Sequence, residues 1–347
     1  MYRIGLIGMG MIGQRHIDTI VKSGHKLAGV SASSSRSSNI YAELYDTQPF
    51  ESWHDLVESK NIDIIINNTP NHLHLEINSA ALNLKKPVYT EKPLGRSLKE
   101  TAEMVALAAK KKIANGVNYN RRGFPAITRI KAMIDSGELG DILLVRGNYL
   151  QDWLLKPETW NWRVDPANNE ASRALPDIGA HLLDLALYAT SLEPKELFYE
   201  MKTFIPKRKS PKGKMVKILN EDYGTLLVRF TNGGSGVFTF CQTAAGHAGS
   251  DLFLEISGTK KGVVWHENEE EIIRVKNYQD AEEVIEVESS KHNFHGQYEV
   301  FIDFLNWVGG KKPVSVADFK DGHRQVYLME RALKSYSEQK WVKWNLK

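Results

Sequence analysis

Cysteine is almost absent: Cys241 stands alone in 347 residues. One thiol excludes an intrachain disulfide and any zinc or iron–sulfur framework built on cysteine. No run reaches the ~18 to 20 consecutive apolar residues that a membrane-spanning helix needs, so no membrane partner is expected. An excess of one charge is lacking too. The 45 Lys and Arg face 42 Asp and Glu for a net +3, too slight for the electrostatic footprint of a general nucleic-acid binder. The opening Met1-Tyr2-Arg3-Ile4-Gly5 shows no charged-then-apolar leader and enters a strand pattern at once, so a cytoplasmic chain is expected. The length suits about two domains. With 42% hydrophobic and 25% charged residues, the composition is that of a globular chain able to bury a sizeable core.

What is present first is an alternation of short apolar runs and helical patterns. Residues 2–7, 26–31, 62–67 and 87–90 read as strands, and 11–23, 73–84 and 101–112 as helices, with Ser52 able to cap another through 59. Strands and helices in turn argue for a parallel sheet covered on both faces. The nearly unbroken Ile62-Asp63-Ile64-Ile65-Ile66 fits a strand buried on both sides. After a helix over 125–136 the period changes to two between 222 and 265: Leu226, Val228 and Phe230, then Val237, Phe238 and Phe240, then Leu252, Leu254 and Ile256. Turn compositions at Asn232-Gly233-Gly234 and Gly258-Thr259-Lys260 make this an antiparallel meander. A helix over 322–338 comes last. The domain boundary falls near Asn120, dividing residues 1–120 from 121–347.

Gly8-Met9-Gly10-Met11-Ile12-Gly13 follows the first strand and opens the first helix. Glycines there allow a tight turn and close backbone approach to a pyrophosphate, while the helix N-terminus offers free N–H groups and a positive dipole end. The strand–turn–helix setting is the condition for reading such a pattern as a dinucleotide site; a purely structural turn is the other reading. No Asp or Glu stands between Asp18 and Glu43, where an acid would hold the ribose 2′-hydroxyl. The second strand ends instead in Ser31-Ala32-Ser33-Ser34-Ser35-Arg36, whose hydroxyls and guanidinium suit a 2′-phosphate. A solvated serine loop with an incidental arginine stays open.

Thr69-Pro70-Asn71-His72-Leu73-His74 follows a predicted strand, where ligands collect in parallel sheets. Without carboxylate or cysteine neighbours its histidines read as part of a cofactor loop, not as a metal site. Glu91-Lys92-Pro93 ends the next strand: Lys92 there can steady a substrate alkoxide, or simply be a surface lysine. Asp177, His181 and Asp184 are spaced to share one helix face. A carboxylate beside an imidazole suits general-base work; a capping Asp177 with a core histidine is the alternative. Gln151-Asp152-Trp153 and Trp160-Asn161-Trp162-Arg163 gather three of the eight tryptophans beside polar groups, as a wall for a polyol or as a core or interface cluster. The basic stretch from Pro206 to Lys214 reads as a solvated loop, and Glu267 to Glu271 as an exposed hairpin edge.

Taken in order, the glycine loop, Thr69-Pro70-Asn71 with His74, Glu91-Lys92-Pro93 and Asp177-x-x-x-His181 resemble the Gfo/Idh/MocA oxidoreductase family over nearly the whole chain. Trp162-Arg163, Asp177 to His181, Glu221-Asp222-Tyr223 and Gln242 to Gly246 resemble its levoglucosan-dehydrogenase-like group. The resemblance implies an α/β protein: an N-terminal Rossmann domain, then an α+β domain on an open, mainly antiparallel sheet. It implies NAD(P)-dependent oxidation of a hydroxyl on a cyclic sugar, sugar derivative or inositol-type polyol. In that chemistry Lys92, Asp177 and His181 form the catalytic trio, with His181 as base. It also implies a cis Lys92–Pro93 bond and a homo-oligomer, dimer or tetramer, through the C-terminal sheet. The cofactor set is then Gly8, Gly10, Met11, Ile12, Gly13, Ser31, Ser33, Ser34, Arg36, Thr69, Pro70, Asn71, His74, Glu91, Lys92, Asn120, Trp162 and Arg163, with NADP or both cofactors favoured. The substrate set is Tyr119, Gln151, Asp152, Trp153, Arg163, Asp177 and His181, and no metal is expected. A redox-neutral, nicotinamide-assisted glycosidase and a non-catalytic NAD(P)-sensing regulator are the competing functions.

Overall fold

A computed structural model describes residues 1–10, 12–166, 171–277 and 281–346. The chain forms two units: Met1–Gly123 with Ser290–Tyr327, and Phe124–Ser289 with Leu328–Lys347. In the first unit the elements alternate as β1 (Arg3–Ile7), α1 (Gly13–Lys22), β2 (Lys26–Ser31), α2 (Ser35–Leu44), β3 (Gln48–Pro49), α3 (Trp53–Glu58), β4 (Ile64–Asn67), α4 (His74–Asn83), β5 (Val88–Thr90), α5 (Leu98–Lys111) and β6 (Asn115–Val117). Ser34, Ser52 and Ser97 each accept a backbone N–H bond at the start of a helix, so hydroxyls decide where α2, α3 and α5 begin. All strand pairs are parallel, in the order β3-β2-β1-β4-β5-β6. That is the doubly wound order, whose direction reverses beside β1, so loops after β1 and β4 border the crevice where ligands bind. Ile64, Ile65 and Ile66 of β4 are fully buried, each contributing ~1.5 to 3 kcal/mol by leaving water.

The second unit opens with α6 (Pro125–Asp135) and β7 (Ile142–Leu150) and continues through α7 (Ala180–Thr190), β8 (Pro194–Lys202), β9 (Lys207–Lys209), β10 (Met215–Lys217), β11 (Tyr223–Phe230), β12 (Ser235–Cys241), β13 (Asp251–Gly258), β14 (Lys261–His266), β15 (Ile272–Asn277) and β16 (Glu283–Glu286). The chain then supplies α8 (Gln297–Val308) to the first unit, where Phe301 and Phe304 pack on Tyr89. Then come α9 (Phe319–Glu338) and β17 (Val342–Lys343). The large sheet has nine strands, β16-β15-β14-β13-β7-β12-β11-β8-β17, antiparallel except for the parallel pair β12–β7. The expected meander is therefore interrupted: β12 and β13 both pair with β7 and not with each other. Period-two patterning assigns faces to residues, not neighbours to strands, so β7 could not be placed from the pattern. Its inner face carries Leu226, Phe238, Leu254 and Trp265, all buried, with α7 packed on β7. Its other face carries half-exposed Leu227, Val237 and Phe253 beside the pair Arg146–Glu255. No helix among the described residues is long and apolar enough to cross a membrane.

Candidate functional site

In the first unit the chain leaves β1 through Gly8, whose φ of +90° favours glycine. A Cβ there would come 2.4 Å from the Asn68 carbonyl oxygen. Asn68 in turn donates to the Gly8 carbonyl (2.9 Å), and Gly8 N–H donates to the Ser31 carbonyl (2.8 Å). The turn after β1 is thus pinned by the ends of β2 and β4. Helix α1 starts at Gly13 with Ile12 as a cap that makes no side-chain bond and with no acid in its first turn. Gly13 N–H closes the turn onto the Gly10 carbonyl (2.9 Å), and the helix presents its positive dipole end to whatever lies beyond. A Cβ on Gly10 would meet no atom within 4 Å, so the loop leaves open space where a phosphate would approach. These features fit a dinucleotide's pyrophosphate. Met11 lies outside the described residues. Ser31 is buried, whereas Ser33, Ser34 and Arg36 are exposed. The Ser34 hydroxyl already caps α2, accepting from Ser37 N–H.

The loop after β4 is organised by Asn67, whose Oδ1 accepts from Thr69 Oγ1 at 2.7 Å and from Thr69 N–H at 3.2 Å. Pro70 and Asn71 lead into a short 3-10 turn over Asn71–Leu73. His74 is fully buried, with Nδ1 2.9 Å from the Pro93 carbonyl and Nε2 2.9 Å from the Thr69 carbonyl. It holds the Thr69 loop to the segment that carries Lys92, while His72 is exposed. Burial pushes the His74 pKa below its ordinary value, outweighing the pull of the carbonyls and of Glu91. The Lys92–Pro93 bond is cis, as the resemblance implies.

Beneath Lys92 lies a polar network that sequence reasoning missed. Glu91 Oε1 is 2.9 Å from His16 Nε2 and accepts from Asn118 Nδ2 at 2.6 Å; its Oε2 accepts from Lys92 N–H at 3.3 Å. The Gln297 amide sits 3.3 Å from His16 Nδ1, which leaves Nε2 to carry the proton toward Glu91. Burial works against charge on Glu91, but His16, Asn118 and Lys92 together outweigh it and hold the carboxyl below its usual range. Tyr119 is fully buried, and Asn120 donates to the His295 carbonyl (3.0 Å). Nothing in the spacing of His16, Asn118 and Gln297 signals that they meet.

In the second unit, the chain beyond β7 stays strapped to the end of β12. Gln151 N–H donates to the Cys241 carbonyl, Leu154 N–H to the Gln242 carbonyl, and Ala244 N–H to the Gln151 carbonyl. Trp153 Nε1 donates to Gln151 Oε1 (2.8 Å), and Trp153 and Trp160 pack on a small core of Leu154, Val164 and Ile218. Asp152 begins the adjoining turn, its carbonyl accepting from Leu155 N–H. Arg163 lies over the ring of Trp162, 4.5 Å from its centroid, and its carbonyl accepts from Asn220. Trp162 is 53% exposed, so it is not a core residue here.

Asp177 does not lie on α7. It sits in a π turn over Leu175–Gly179 that runs directly into the helix; α7 begins at Ala180 with His181 in its first turn, and Asp184 is fully buried. The turn can lie on β12 only because residue 179 is glycine; a Cβ there would come 2.9 Å from the Phe240 ring. Asp177 Oδ2 accepts from Gln242 Nε2 at 2.7 Å, and Oδ1 is 3.3 Å from Arg163 Nε. Glu221 is also buried and accepts from Ser172 Oγ, Arg173 N–H and Leu175 N–H. Burial raises its pKa despite those bonds.

The basic stretch is the clearest correction. It forms the hairpin β9–β10, and its Arg208 is fully buried instead of solvated. Arg208 donates to the carbonyls of Leu154, Lys156 and Thr159 and, with Arg173, contacts the buried carboxylate of Asp222. Charge in a run marks a surface only while no buried acceptors wait for it. The acidic stretch differs as well: Glu267 is buried and bonded to Ser250. Among the described residues no group of three or more His, Cys, Asp or Glu is arranged to hold a metal ion.

Comparison with known proteins follows the same division. Residues 2–119 match the family model described as an oxidoreductase family with an NAD-binding Rossmann fold, and residues 127–264 match the GFO/IDH/MocA C-terminal domain. A levoglucosan dehydrogenase of Pseudarthrobacter phenanthrenivorans is 32% identical over 231 residues, covering 62% of this chain and 58% of that relative. The match thus spans under two thirds of that relative's length. A glucose-6-phosphate 3-dehydrogenase of Bacillus subtilis is 24% identical over 346 residues, 95% of each chain. The solved structure of levoglucosan dehydrogenase with NADH and L-sorbose superposes with a TM-score of 0.90 at 25% identity, covering 100% of this chain and 99% of that one. With both domain models met in order on a parallel and then a mixed sheet, the chain belongs to the Gfo/Idh/MocA family of oxidoreductases.

Proposed function

We propose that the chain is an NAD(P)-dependent dehydrogenase that oxidises a ring hydroxyl of a cyclic sugar, sugar derivative or inositol-type polyol. The observation that carries this is the carboxylate of Asp177, held by Arg163 and Gln242 four residues before His181. A held carboxylate orients and favours charge on an imidazole, which is what a general base needs. His181 takes the hydroxyl proton, and the Lys92 ammonium stabilises the alkoxide that develops. Glu91, bound to Lys92 N–H, fixes the backbone from which the lysine extends. The Trp162 ring with Arg163, and Gln151 with Trp153, suit the C–H faces and hydroxyls of a sugar. A bound nicotinamide supplies the hydride acceptor; Gly8, Gly10, Ile12 and Gly13 with the α1 N-terminus would hold its pyrophosphate.

Exposed Arg36 and Ser33, with no acid from Thr19 to Ala42, favour NADP or both cofactors over NAD alone. The half-exposed apolar residues on the open sheet face support a homo-oligomer. A cytoplasmic location, where dinucleotide is available, belongs to the same proposal. The test is nicotinamide absorbance with levoglucosan, D-glucose, glucose 6-phosphate, L-sorbose and myo-inositol, each with NAD and with NADP. Reduction by at least one is expected. A glycoside cleaved with no absorbance change would replace this with redox-neutral chemistry, and cofactor binding without turnover of any probe would speak for a sensor.

A further inference from the structure

Gln242 has no role yet, although it touches Asp177 directly. It lies fully buried just past β12, with its amide donating to Asp177 Oδ2 at 2.7 Å. Its main chain is engaged on both sides: N–H donates to the Asp222 carbonyl (2.9 Å), and the carbonyl accepts from Leu154 N–H (3.2 Å). The flanking residues pair with Gln151, Cys241 through its carbonyl and Ala244 through its N–H. One strand end therefore carries both the donor on Asp177 and the backbone that fixes Gln151 to Leu154.

Arg163 and Gln242 meet Asp177 in different ways. Arg163 is long, partly exposed and set in a short turn, with its guanidinium against the Trp162 ring. Gln242 is short, buried and tied into the sheet. A carboxyl group turns readily about its terminal torsion, so a fixed donor at one oxygen decides where the other points. A neutral amide does this without adding a charge that would compete with His181.

We infer that Gln242 is a positioning residue for the reaction: it sets the rotation of the Asp177 carboxylate and fixes it relative to the Gln151–Trp153 wall. The inference rests on the role proposed above for Asp177 and His181.

A double-mutant cycle on the full chain tests it, using whichever of levoglucosan, D-glucose and myo-inositol turns over fastest. Gln242→Met should lower kcat ~tenfold or more, with sugar KM changed less than ~threefold. Fluorescence titration with NADH should show unchanged binding. In an Asp177→Asn background the same substitution should cost less than ~twofold, because the group through which it acts is gone. An equal loss in both backgrounds, or an effect confined to KM, overturns the inference. If Asp177→Asn slows turnover and Gln242→Met does not, the inference alone falls; if Asp177→Asn has no effect, the role of Asp177 falls and takes it along. Should Gln242→Met not fold, Gln242→Ala, which also removes the donor without adding a charge, replaces it in the same cycle with the same outcomes.

Discussion

Replacing Arg208 by methionine separates the meaning of a basic run from the meaning of a buried cation. As a residue of a solvated lysine-rich loop, Arg208 would cost less than ~0.5 kcal/mol to lose. In the fold it is fully buried. Nη1 donates to the carbonyls of Lys156 (2.9 Å) and Thr159 (3.3 Å), and Nη2 to that of Leu154 (2.5 Å), with Asp222 Oδ1 at 3.4 Å. Each bond from a charged donor is worth ~1.5 to 3 kcal/mol, but the four do not add. Asp222 keeps Arg173 and the Ile205 N–H (2.7 Å), and loop carbonyls can turn toward water. Losing one partner from a buried pair sets a better bound of ~3 to 5 kcal/mol, a large share of the ~5 to 15 that a domain commands. Urea unfolding followed by tryptophan fluorescence is the assay, since Trp153 and Trp160 pack on the segment Arg208 holds. Arg208→Lys should fall between wild type and Arg208→Met, because it keeps the charge and loses the fork. A loss below ~1 kcal/mol for Arg208→Met would refute the reasoning.

Lys92→Ala and His181→Ala should each lower turnover by ~10² or more while NADH binding persists; turnover within threefold of wild type in either variant removes that residue from the chemistry. Arg36 should favour NADP by a charge-assisted bond of ~1.5 to 3 kcal/mol, about tenfold to a hundredfold in affinity. If kcat/KM favours NAD more than ~tenfold, or Arg36→Ser leaves the cofactor ratio unchanged, Arg36 takes no part. Burial holds the His74 pKa below its free value, so below pH ~6.5 the unfolded chain binds a proton that the folded chain refuses. Stability is kept above that pH and falls as pH drops, by up to ~1.4 kcal/mol per pH unit. His74→Gln should flatten the slope of urea stability between pH 6.5 and 5; an equal slope in both proteins would show that His74 is not desolvated in the fold.

The first unit was legible because its signals are local. An apolar run, a glycine turn and a hydroxyl cap each act within a few residues, so β2 spans 26–31 as expected and Ser52 caps α3. The turn at Gly8 was legible for the same reason, but its support was not. Asn68 reaches it from 60 positions away, and Glu91 meets His16 across 75. Helix α8 carries Gln297 to His16, and Phe301 and Phe304 to Tyr89, without any mark in its own sequence.

By itself, then, the chain determined most of the residues that turn inward and supplied the groups on which the proposed chemistry rests: the glycine loop, Lys92 at a strand end, and Asp177 four residues before His181. Those properties depend on near neighbours, whose spacing is set by covalent geometry. Only the tertiary structure decided that β7 divides β12 from β13, that Asp177 sits in a π turn held by Gln242, and that Arg208 is interior. Partner strands and buried ion pairs are choices among distant segments, and their free energy exists only once chain entropy has been spent to bring those segments together.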